Sequence, residues 1–305
     1  MVGAERTLIE TPLEELPALT EALGGPRLLV KRDDKLPFGG SKFRKAVMLV
    51  EHALRAGADT VLTEGSVESQ HARTLAIAAR RRGLRCVLVL SAEASGSEPT
   101  LLDDAEGAEL VLTEREGERG ALVEATAARL IASGRRVEVV PFSGTNGLTT
   151  AAYVRAFEEL LAQAALRHAK LDAIYLASAT GGIHAGLELG KRRTGAPIEI
   201  VGVSPGLAVH ELRARVCALI AGGSAILGCP IAASADSITV IDDYVGDGYL
   251  KPTAASKAAQ RLLCETENLH LDPVYTAKAM AALIDHVRSG RLGPSQTVVF
   301  WHSAG

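Results

Sequence analysis

The sequence has little that would indicate a secreted, metal-binding or membrane protein. Its four cysteines are scattered, without the paired spacing of a zinc site or of a disulfide framework. No apolar run is long enough to cross a bilayer, and the first residues lack the apolar core of a signal peptide. We therefore expect no metal site, no membrane contact and a cytoplasmic location in which the thiols are reduced.

An excess of positive charge is also absent. Lysine and arginine together number 33 against 36 aspartates and glutamates, and the formal net charge is −3. A slightly acidic chain has no electrostatic attraction to nucleic acid or to an anionic membrane. With 305 residues, of which 47% are hydrophobic, the chain has an ordinary globular composition and is long enough for one large or two modest domains.

The chain does contain a regular alternation of short β-branched runs with helical stretches. We predict strands at Thr60–Thr63, Arg85–Leu90, Leu110–Thr113, Val137–Pro141, Ala173–Ala177, Glu199–Ser204, Ser237–Ile241 and Thr297–His302. This alternation predicts mostly parallel sheets, with ligands bound at the carboxyl ends of the strands. Two open twisted sheets flanked by helices fit better than one. We predict an α/β fold in which a small domain, residues 46–157, is inserted in a large domain made of residues 1–45 and 158–305.

The most informative segment is Phe38–Lys45. Its two glycines permit a tight turn, Ser41 can cap a helix, and Lys42 then lies on the first helical turn. Lys45 follows three residues later on the same helix face. Most lysines are solvated, but a lysine held in a cleft can form a Schiff base with an aldehyde cofactor. The segment alone therefore leaves a surface lysine and a cofactor lysine both open.

Two further segments combine a strand, a turn and a helix start. In the segment Glu64–His71, Ser69 is either a helix cap or a nucleophile and proton relay, and Gln70 can bond a cofactor hydroxyl. The segment Ser178–Gly186 has a glycine turn whose main-chain N–H groups can cradle a phosphate. It lacks both the dinucleotide GxGxxG spacing and the GKS/T of a P-loop.

Three more polar side chains lie where a ligand could reach them. Tyr249 lies in a glycine-containing loop, where it either packs or extends into a cleft. Tyr275 falls in the first turn of a helix that Asp272 and Pro273 begin. Ser303 follows the last predicted strand at its carboxyl end.

In order and spacing, these segments resemble the D-cysteine desulfhydrase and 1-aminocyclopropane-1-carboxylate deaminase family of pyridoxal-phosphate enzymes. That family has the tryptophan synthase β-like fold, fold type II. The most specific motifs are Gly-Gly-Ser-Lys-Phe-Arg-Lys, Ser-Gln-His-Ala-Arg and Leu-Asp-Pro-Val-Tyr-Thr-Ala-Lys-Ala-Met. The resemblance extends from about Thr11 to Gly305. It implies pyridoxal 5'-phosphate as cofactor, a small amino-acid substrate and a homodimer.

The resemblance also implies a role for each matching residue. Lys42 would be the Schiff-base lysine, and Lys45 would bind the phosphate together with the turn Thr180, Gly181, Gly182 and Ile183. Ser69, Tyr249 and Tyr275 match the catalytic residues. Gln70 matches a residue near the phenolic oxygen of the cofactor. Ser303 matches the partner of the pyridine nitrogen, with Thr276 as a neighbouring candidate.

The branch of the family follows from Thr276 and Ser303. Ring-opening deaminases carry a glutamate and a leucine there, whereas hydroxyl residues resemble the desulfhydrase branch. This implies a carbon–sulfur lyase that converts cysteine, D-cysteine or a modified cysteine to pyruvate, ammonia and a thiol by β-elimination. The alternatives are a deaminase of the aminocyclopropane type and, in another class, a non-catalytic accessory protein with the same fold.

Departures from the family pattern motivate the accessory alternative and an unusual substrate. Four single residues differ: the family has asparagine at Ser41, glutamine at Glu68, asparagine at Gln70 and threonine at Ile183. In addition, Glu98 and Pro99 replace a Gly-Asn pair. The sequence ends at Gly305, where relatives usually run on. Backbone donors and Lys45 remain, so we expect cofactor binding to survive these changes.

Overall fold

The structure is a computed structural model that describes residues 10–37, 40, 42–92 and 107–304. The predicted departures at Ser41, Glu98, Pro99 and Gly305 lie outside these residues. The chain divides into a large unit, Met1–Ser41 with Thr150–Gly305, and a small unit, Lys42–Thr149. These boundaries fall earlier than the predicted ones, after residues 45 and 157. The difference arises because the helix that begins at Lys42 belongs wholly to the small unit, and because the second boundary lies near the start of the next long helix.

The described residues form ten strands and nine α-helices. The strands are β1 (Leu13–Glu15), β2 (Arg27–Arg32), β3 (Thr60–Ser66), β4 (Arg85–Ser91), β5 (Glu109–Thr113), β6 (Val137–Val139), β7 (Ala173–Ala177), β8 (Glu199–Val203), β9 (Thr239–Ile241) and β10 (Thr297–His302). The helices are α1 (Pro17–Leu23), α2 (Lys42–Arg55), α3 (Gln70–Arg81), α4 (Arg119–Ala132), α5 (Gly147–Leu166), α6 (Gly182–Thr194), α7 (Val209–Ile226), α8 (Ala254–Glu267) and α9 (Thr276–Arg288).

The large unit is built on a six-stranded sheet in the order β1-β2-β10-β7-β8-β9. Strand β1 pairs antiparallel with β2, and all other neighbours are parallel. Successive residues of β10 point to opposite faces, so Phe300 packs in a core with α8 and α9 while Trp301 packs in a core with α5. Helices therefore cover both faces of the sheet, and its strands are almost continuously apolar.

The small unit has a four-stranded parallel sheet in the order β5-β4-β3-β6. Successive residues of β3 point to opposite faces of this sheet, and each face packs in its own core. Val61 packs with α2 and α3, whereas Leu62 packs with α4. All eight predicted strands are present, and the predicted α/β fold with two mostly parallel sheets is confirmed.

Strand β2 was not predicted, because its apolar run is short and its ends are charged. Leu28, Leu29 and Val30 are buried, and so is Lys31. The ammonium of Lys31 forms an ion pair with Glu159 and donates to the carbonyl oxygen of Thr11 at 2.6 Å. Since these partners are distant in the chain, local sequence contains no sign that a lysine can be buried here.

Candidate active site

Two lysines lie on the first turn of α2 in the small unit. The helix buries Ala46, Leu49 and Val50 on the side that packs in the small-unit core, and this packing fixes the helix that carries Lys42 and Lys45. Burial lowers the pKa of Lys42, which is half-buried. Burial, followed by the charge of Lys42, lowers the pKa of Lys45 well below its usual value. An anion bound beside the two ammonium groups would relieve this repulsion and favour their charged forms.

Lys45 is held by a turn to which the sequence analysis assigned no role. Its Nζ donates to Thr145 Oγ1 at 2.8 Å. Thr145 follows Ser143 and Gly144, both of which have φ of 60°. A Cβ on Gly144 would lie 2.6 Å from Cε1 of His71, so only glycine fits between this turn and the histidine. The pattern of strand, glycine turn and helix start, present here as Ser-Gly-Thr-Asn-Gly, could have identified this segment.

His71 lies beneath the same turn and is neutral. Burial, followed by the charges of Lys42 and Lys45, lowers its pKa to about 3. Thr63 Oγ1 donates to the carbonyl oxygen of Val140 at 2.9 Å and lies 3.2 Å from His71 Nε2. The hydroxyl proton is thus used, and Nε2 is the donor of that pair. Nδ1 is then a buried acceptor with no hydrogen-bond partner among the described residues.

Ser69 is the N-cap of α3, as one of its two interpretations predicted. Its Oγ accepts from the backbone N–H of Ala72 at 3.3 Å. It lies close to the end of β3, where a Cβ on Gly65 would be 2.7 Å from the same Oγ. Because the cap only accepts, the hydroxyl proton of Ser69 can still be donated elsewhere. Glu68 and Gln70 are both exposed.

The predicted phosphate turn opens α6 in the large unit. Gly181 is the N-cap in the left-handed conformation, with φ of 79°, and Gly182 begins the helix. Gly181 and Gly182 are buried, while Thr180 and Ile183 are half-buried. The first N–H groups of a helix have no partner within it, so the groups from Gly181 onward can bind an anion. An anion would also be favoured by the positive end of the helix dipole.

The two predicted tyrosines are in direct contact. The hydroxyls of Tyr249 and Tyr275 lie 2.5 Å apart, and the rings meet edge to face with centroids 6.1 Å apart. Burial, followed by the hydrogen bond with Tyr249, raises the pKa of Tyr275. Tyr275 therefore keeps its proton at neutral pH and can act as an acid.

Thr276 and Ser303 lie beside this pair at the end of β10. The carboxylate of Asp272 accepts from the backbone N–H groups of Tyr275 and Thr276, at 2.6 and 2.8 Å, and so fixes the start of α9. The hydroxyl of Thr276 is fully buried, is hydrogen-bonded to Asp272 and lies 3.2 Å from the carbonyl oxygen of Ala304. The hydroxyl of Thr276 is thus engaged in the helix start, and Ser303 is buried at the end of β10.

The large-unit candidates gather at one edge of the sheet. The turn Thr180–Ile183 follows β7, Ser303 follows β10, and Tyr249 packs on Gly206, which follows β8. These three strands are parallel neighbours, so their carboxyl ends meet at the same edge, where open α/β sheets bind ligands. In the small unit, Lys42, Lys45 and His71 form one electrostatically coupled group.

Neither a metal site nor a membrane-spanning helix is present in the described part of the chain. Among the residues that the structure describes, no group of three or more histidine, cysteine, aspartate or glutamate side chains could hold a metal ion. None of the helices in the described ranges has both the length and the apolar character needed to span a membrane.

The site features define the class of the protein, and comparison with known proteins agrees. The chain belongs to the family of pyridoxal-phosphate dependent enzymes, whose model matches residues 5–304. Among its relatives, the D-cysteine desulfhydrases of Salmonella schwarzengrund (strain CVM19633) and Salmonella choleraesuis (strain SC-B67) are each 36% identical to it over 307 residues. Each match covers 97% of this chain and 91% of the relative.

Solved structures show the same fold. An ACC deaminase homologue superposes with a TM-score of 0.83 at 33% identity, covering 97% of this chain and 90% of that one. A threonine deaminase from T.th. superposes with a TM-score of 0.68 at 22% identity, covering 97% and 92%, and shows similarity of fold alone. The predicted family and cofactor class are confirmed.

The residues present fit the cofactor of this family. The cofactor combines an aldehyde, which reacts with an amine, and a phosphate, which needs positive partners. The small unit supplies two lysines whose pKa values are lowered, and the large unit supplies the N-terminus of α6. Nδ1 of His71 is a buried hydrogen-bond acceptor, so it can accept from an amine, whereas it would repel an anion.

Proposed function

We propose that the protein is a lyase that eliminates the β-substituent of cysteine, D-cysteine or a modified cysteine. The products are pyruvate, ammonia and a thiol or sulfide. The observation that carries the proposal is the hydrogen-bonded Tyr249–Tyr275 pair, which supplies a hydroxyl proton donor at the sheet edge where ligands bind. Full-length similarity to proteins named D-cysteine desulfhydrase supports the choice of substrate class.

When bound, pyridoxal phosphate withdraws electrons from the α-carbon of an amino acid that is joined to it. We assign the covalent attachment of the cofactor to Lys42, because burial lowers the pKa of this amine and so favours its neutral, nucleophilic form. From the family resemblance, we assign phosphate binding to Lys45 of the small unit and to the turn Thr180–Ile183 of the large unit, where the helix dipole of α6 would favour an anion. Ser303 accepts or donates a hydrogen bond at the pyridine nitrogen, and Gln70 is assigned to the phenolic oxygen.

The remaining residues move protons. Lys42 would remove the α-proton, and Ser69 can relay a proton because its Oγ only accepts within the cap. Tyr275, with its raised pKa, gives a proton to the leaving sulfur. One proton is thus taken from carbon and one is given to sulfur. The eliminated product then reacts with water to yield pyruvate and ammonia.

A second candidate reaction is ring opening of 1-aminocyclopropane-1-carboxylate. The structural similarity to an ACC deaminase homologue favours it. The hydroxyl residues Thr276 and Ser303 argue against it, because a neutral hydroxyl at the ring nitrogen makes the cofactor a weaker electron sink than a carboxylate would.

One experiment tests the proposal. The purified protein is loaded with pyridoxal phosphate and offered D-cysteine, L-cysteine and 1-aminocyclopropane-1-carboxylate, and pyruvate, 2-oxobutanoate, ammonia and sulfide are measured. We expect sulfide and pyruvate in equal amounts from a cysteine isomer. Lys42→Ala should abolish both the turnover and the covalently bound cofactor, whereas Lys257→Ala, on the exposed side of α8, should change neither. Release of 2-oxobutanoate and ammonia from the cyclopropane substrate would assign the protein to the deaminases, and cofactor binding without any turnover would make it an accessory protein.

We further propose that the protein is a homodimer in the cytoplasm. The family resemblance supports the dimer, and the scattered spacing of the four cysteines supports a reducing compartment. Light scattering of the purified holoenzyme tests the first, and fractionation of the producing cells tests the second.

A further inference from the structure

The ammonium group of Lys278 is enclosed by backbone carbonyl oxygens. Lys278 lies on α9 and is fully buried. Its Nζ donates to the carbonyl oxygens of Val245 at 2.8 Å, Pro205 at 3.1 Å and Gly248 at 3.2 Å. Three acceptors match the three N–H donors of the charged amine, whereas a neutral amine would turn its lone pair toward one of them. Converging carbonyl oxygens are also the ligands by which proteins bind monovalent cations.

These three carbonyls fix the position of Tyr249. Pro205 precedes Gly206, and Gly248 precedes Tyr249. A Cβ on Gly206 would lie 2.8 Å from the Cβ of Tyr249, so the tyrosine packs directly on that glycine. The Nζ of Lys278 is thus hydrogen-bonded to both chain segments that meet at this contact, the one at Pro205 and the one at Gly248.

The loop before α8 has an irregular backbone and little buried apolar surface. Gly246, Gly248 and Leu250 have φ of 65°, 132° and 68°, and the last of these is an uncommon conformation for a leucine. The side chains of Tyr249 and Leu250 are 52% and 58% exposed, so burial of apolar surface contributes little to the loop conformation. The ammonium of Lys278 adds two hydrogen bonds to this loop from outside it, at Val245 and Gly248.

We propose that Lys278 is a positioning residue whose ammonium acts as a built-in cation. It holds residues 245–248 so that the hydroxyl of Tyr249 stays within hydrogen-bond distance of Tyr275. The inference deepens the proposed function and rests on it, because it concerns the hydroxyl pair to which proton donation is assigned.

The first test does not depend on activity. Lys278→Ala removes the ammonium and leaves the three carbonyl oxygens facing the vacated space. The holoenzyme variant is unfolded thermally in potassium, ammonium or choline chloride at equal concentration. We expect potassium or ammonium to raise the Tm of the variant by about 3 °C more than that of the wild type. A variant whose Tm responds to potassium no more than the wild type does would overturn the proposal.

The second test asks whether Lys278 acts through Tyr249. In a double-mutant cycle, Lys278→Met should lower kcat about tenfold in the wild-type background but less than about twofold in a Tyr249→Phe background. Lys31→Met is the matched control, because Lys31 is equally buried in the large unit but bonds to Glu159 and Gln163. Its effect on kcat should be the same in both backgrounds. Equal losses from Lys278→Met in both backgrounds would refute the positioning role.

Two further outcomes are distinguishable. If Lys278→Met does not fold, the cycle is run with Lys278→Ala, where potassium should restore kcat only when Tyr249 is present. If the wild-type enzyme releases no sulfide, the proposed function fails, while the response of Tm to potassium still decides whether the carbonyl oxygens around Lys278 form a cation-like site.

Discussion

The hydroxyl of Tyr249 lies 2.5 Å from that of Tyr275, although the two residues are 26 positions apart and helix α8 lies between them. In such a pair one hydroxyl donates to the other, and the accepting hydroxyl keeps a proton that it can give to a ligand. Burial, followed by the hydrogen bond with Tyr249, raises the pKa of Tyr275, so this residue keeps its proton at neutral pH.

A leaving-group comparison tests the role of Tyr275. Tyr275→Phe should lower kcat for sulfide release from cysteine by about a hundredfold. The reason is that the sulfur leaves more readily when it receives a proton and departs as a neutral thiol. The loss should be far smaller with β-chloroalanine of the same stereochemistry, because chloride leaves without a proton. Steady-state pyruvate formation measures both, and an unchanged visible spectrum of the cofactor serves as control. Equal losses for the two substrates would show that Tyr275 does not protonate the leaving group.

Substitution of Lys45 should have opposite effects on the cofactor-free and cofactor-bound protein. Lys45→Met should raise the Tm of the cofactor-free protein, because it removes a buried charge that is repelled by Lys42. It should weaken binding of pyridoxal phosphate about tenfold to a hundredfold, since a charge-assisted hydrogen bond to the phosphate is lost. Differential scanning calorimetry and a fluorescence titration measure the two effects. A variant that binds the cofactor as tightly as the wild type would refute the assignment of Lys45.

Acid should destabilise the protein through His184. Burial, as the first cause, lowers the pKa of this fully buried side chain from 6.5 to about 3. As the pH falls, the unfolded state therefore takes up the proton first. The contribution of neutral His184 to the free energy of unfolding is fully present above 6.5, the pKa of the unfolded state. It is lost as the pH falls toward about 3, the pKa of the folded state. From about pH 7 to about pH 5, the loss is about 2 kcal/mol.

The measurement is urea unfolding of the wild type and of His184→Asn at both pH values. The difference in unfolding free energy between the two proteins should shrink by about that amount at the lower pH. A difference that does not change with pH would mean that His184 is protonated in the folded protein as well.

The contact between Gly206 and Tyr249 predicts a kinetic effect. Gly206→Ala places a methyl group 2.8 Å from the Cβ of Tyr249 and must displace the ring. We expect kcat to fall about tenfold to a hundredfold, since a shift of about 1 Å at a reacting group has effects of this size. Gly117→Ala is the control, because a Cβ there meets nothing within 4 Å. Unchanged kcat in Gly206→Ala would exclude a role for this contact.

Local pattern predicted the parallel core of the fold, because buried parallel strands such as β4 and β7 are apolar in sequence as well as in space. It did not predict β2, whose Lys31 is buried only because Glu159 and Gln163 reach it from α5. The helix starts at Lys42, Ser69 and Gly182 were predictable from glycine turns and caps. The partners of these residues were not: Thr145 meets Lys45 from a distance of 100 positions, and the role of Lys278 depends on carbonyl oxygens of two loops.

The pairing of β2 with β10 determines the order in which the two units can form during synthesis. The two strands pair from Thr297 with Arg27 to His302 with Arg32. Strand β10 is third in the order of the large sheet but last in the chain, so it is synthesised after all the other strands. Strands β3 to β6, in contrast, are contiguous in the chain and pair only with one another. On the ribosome, the small unit can therefore fold early, while the N-terminal strands wait for almost the whole chain to emerge.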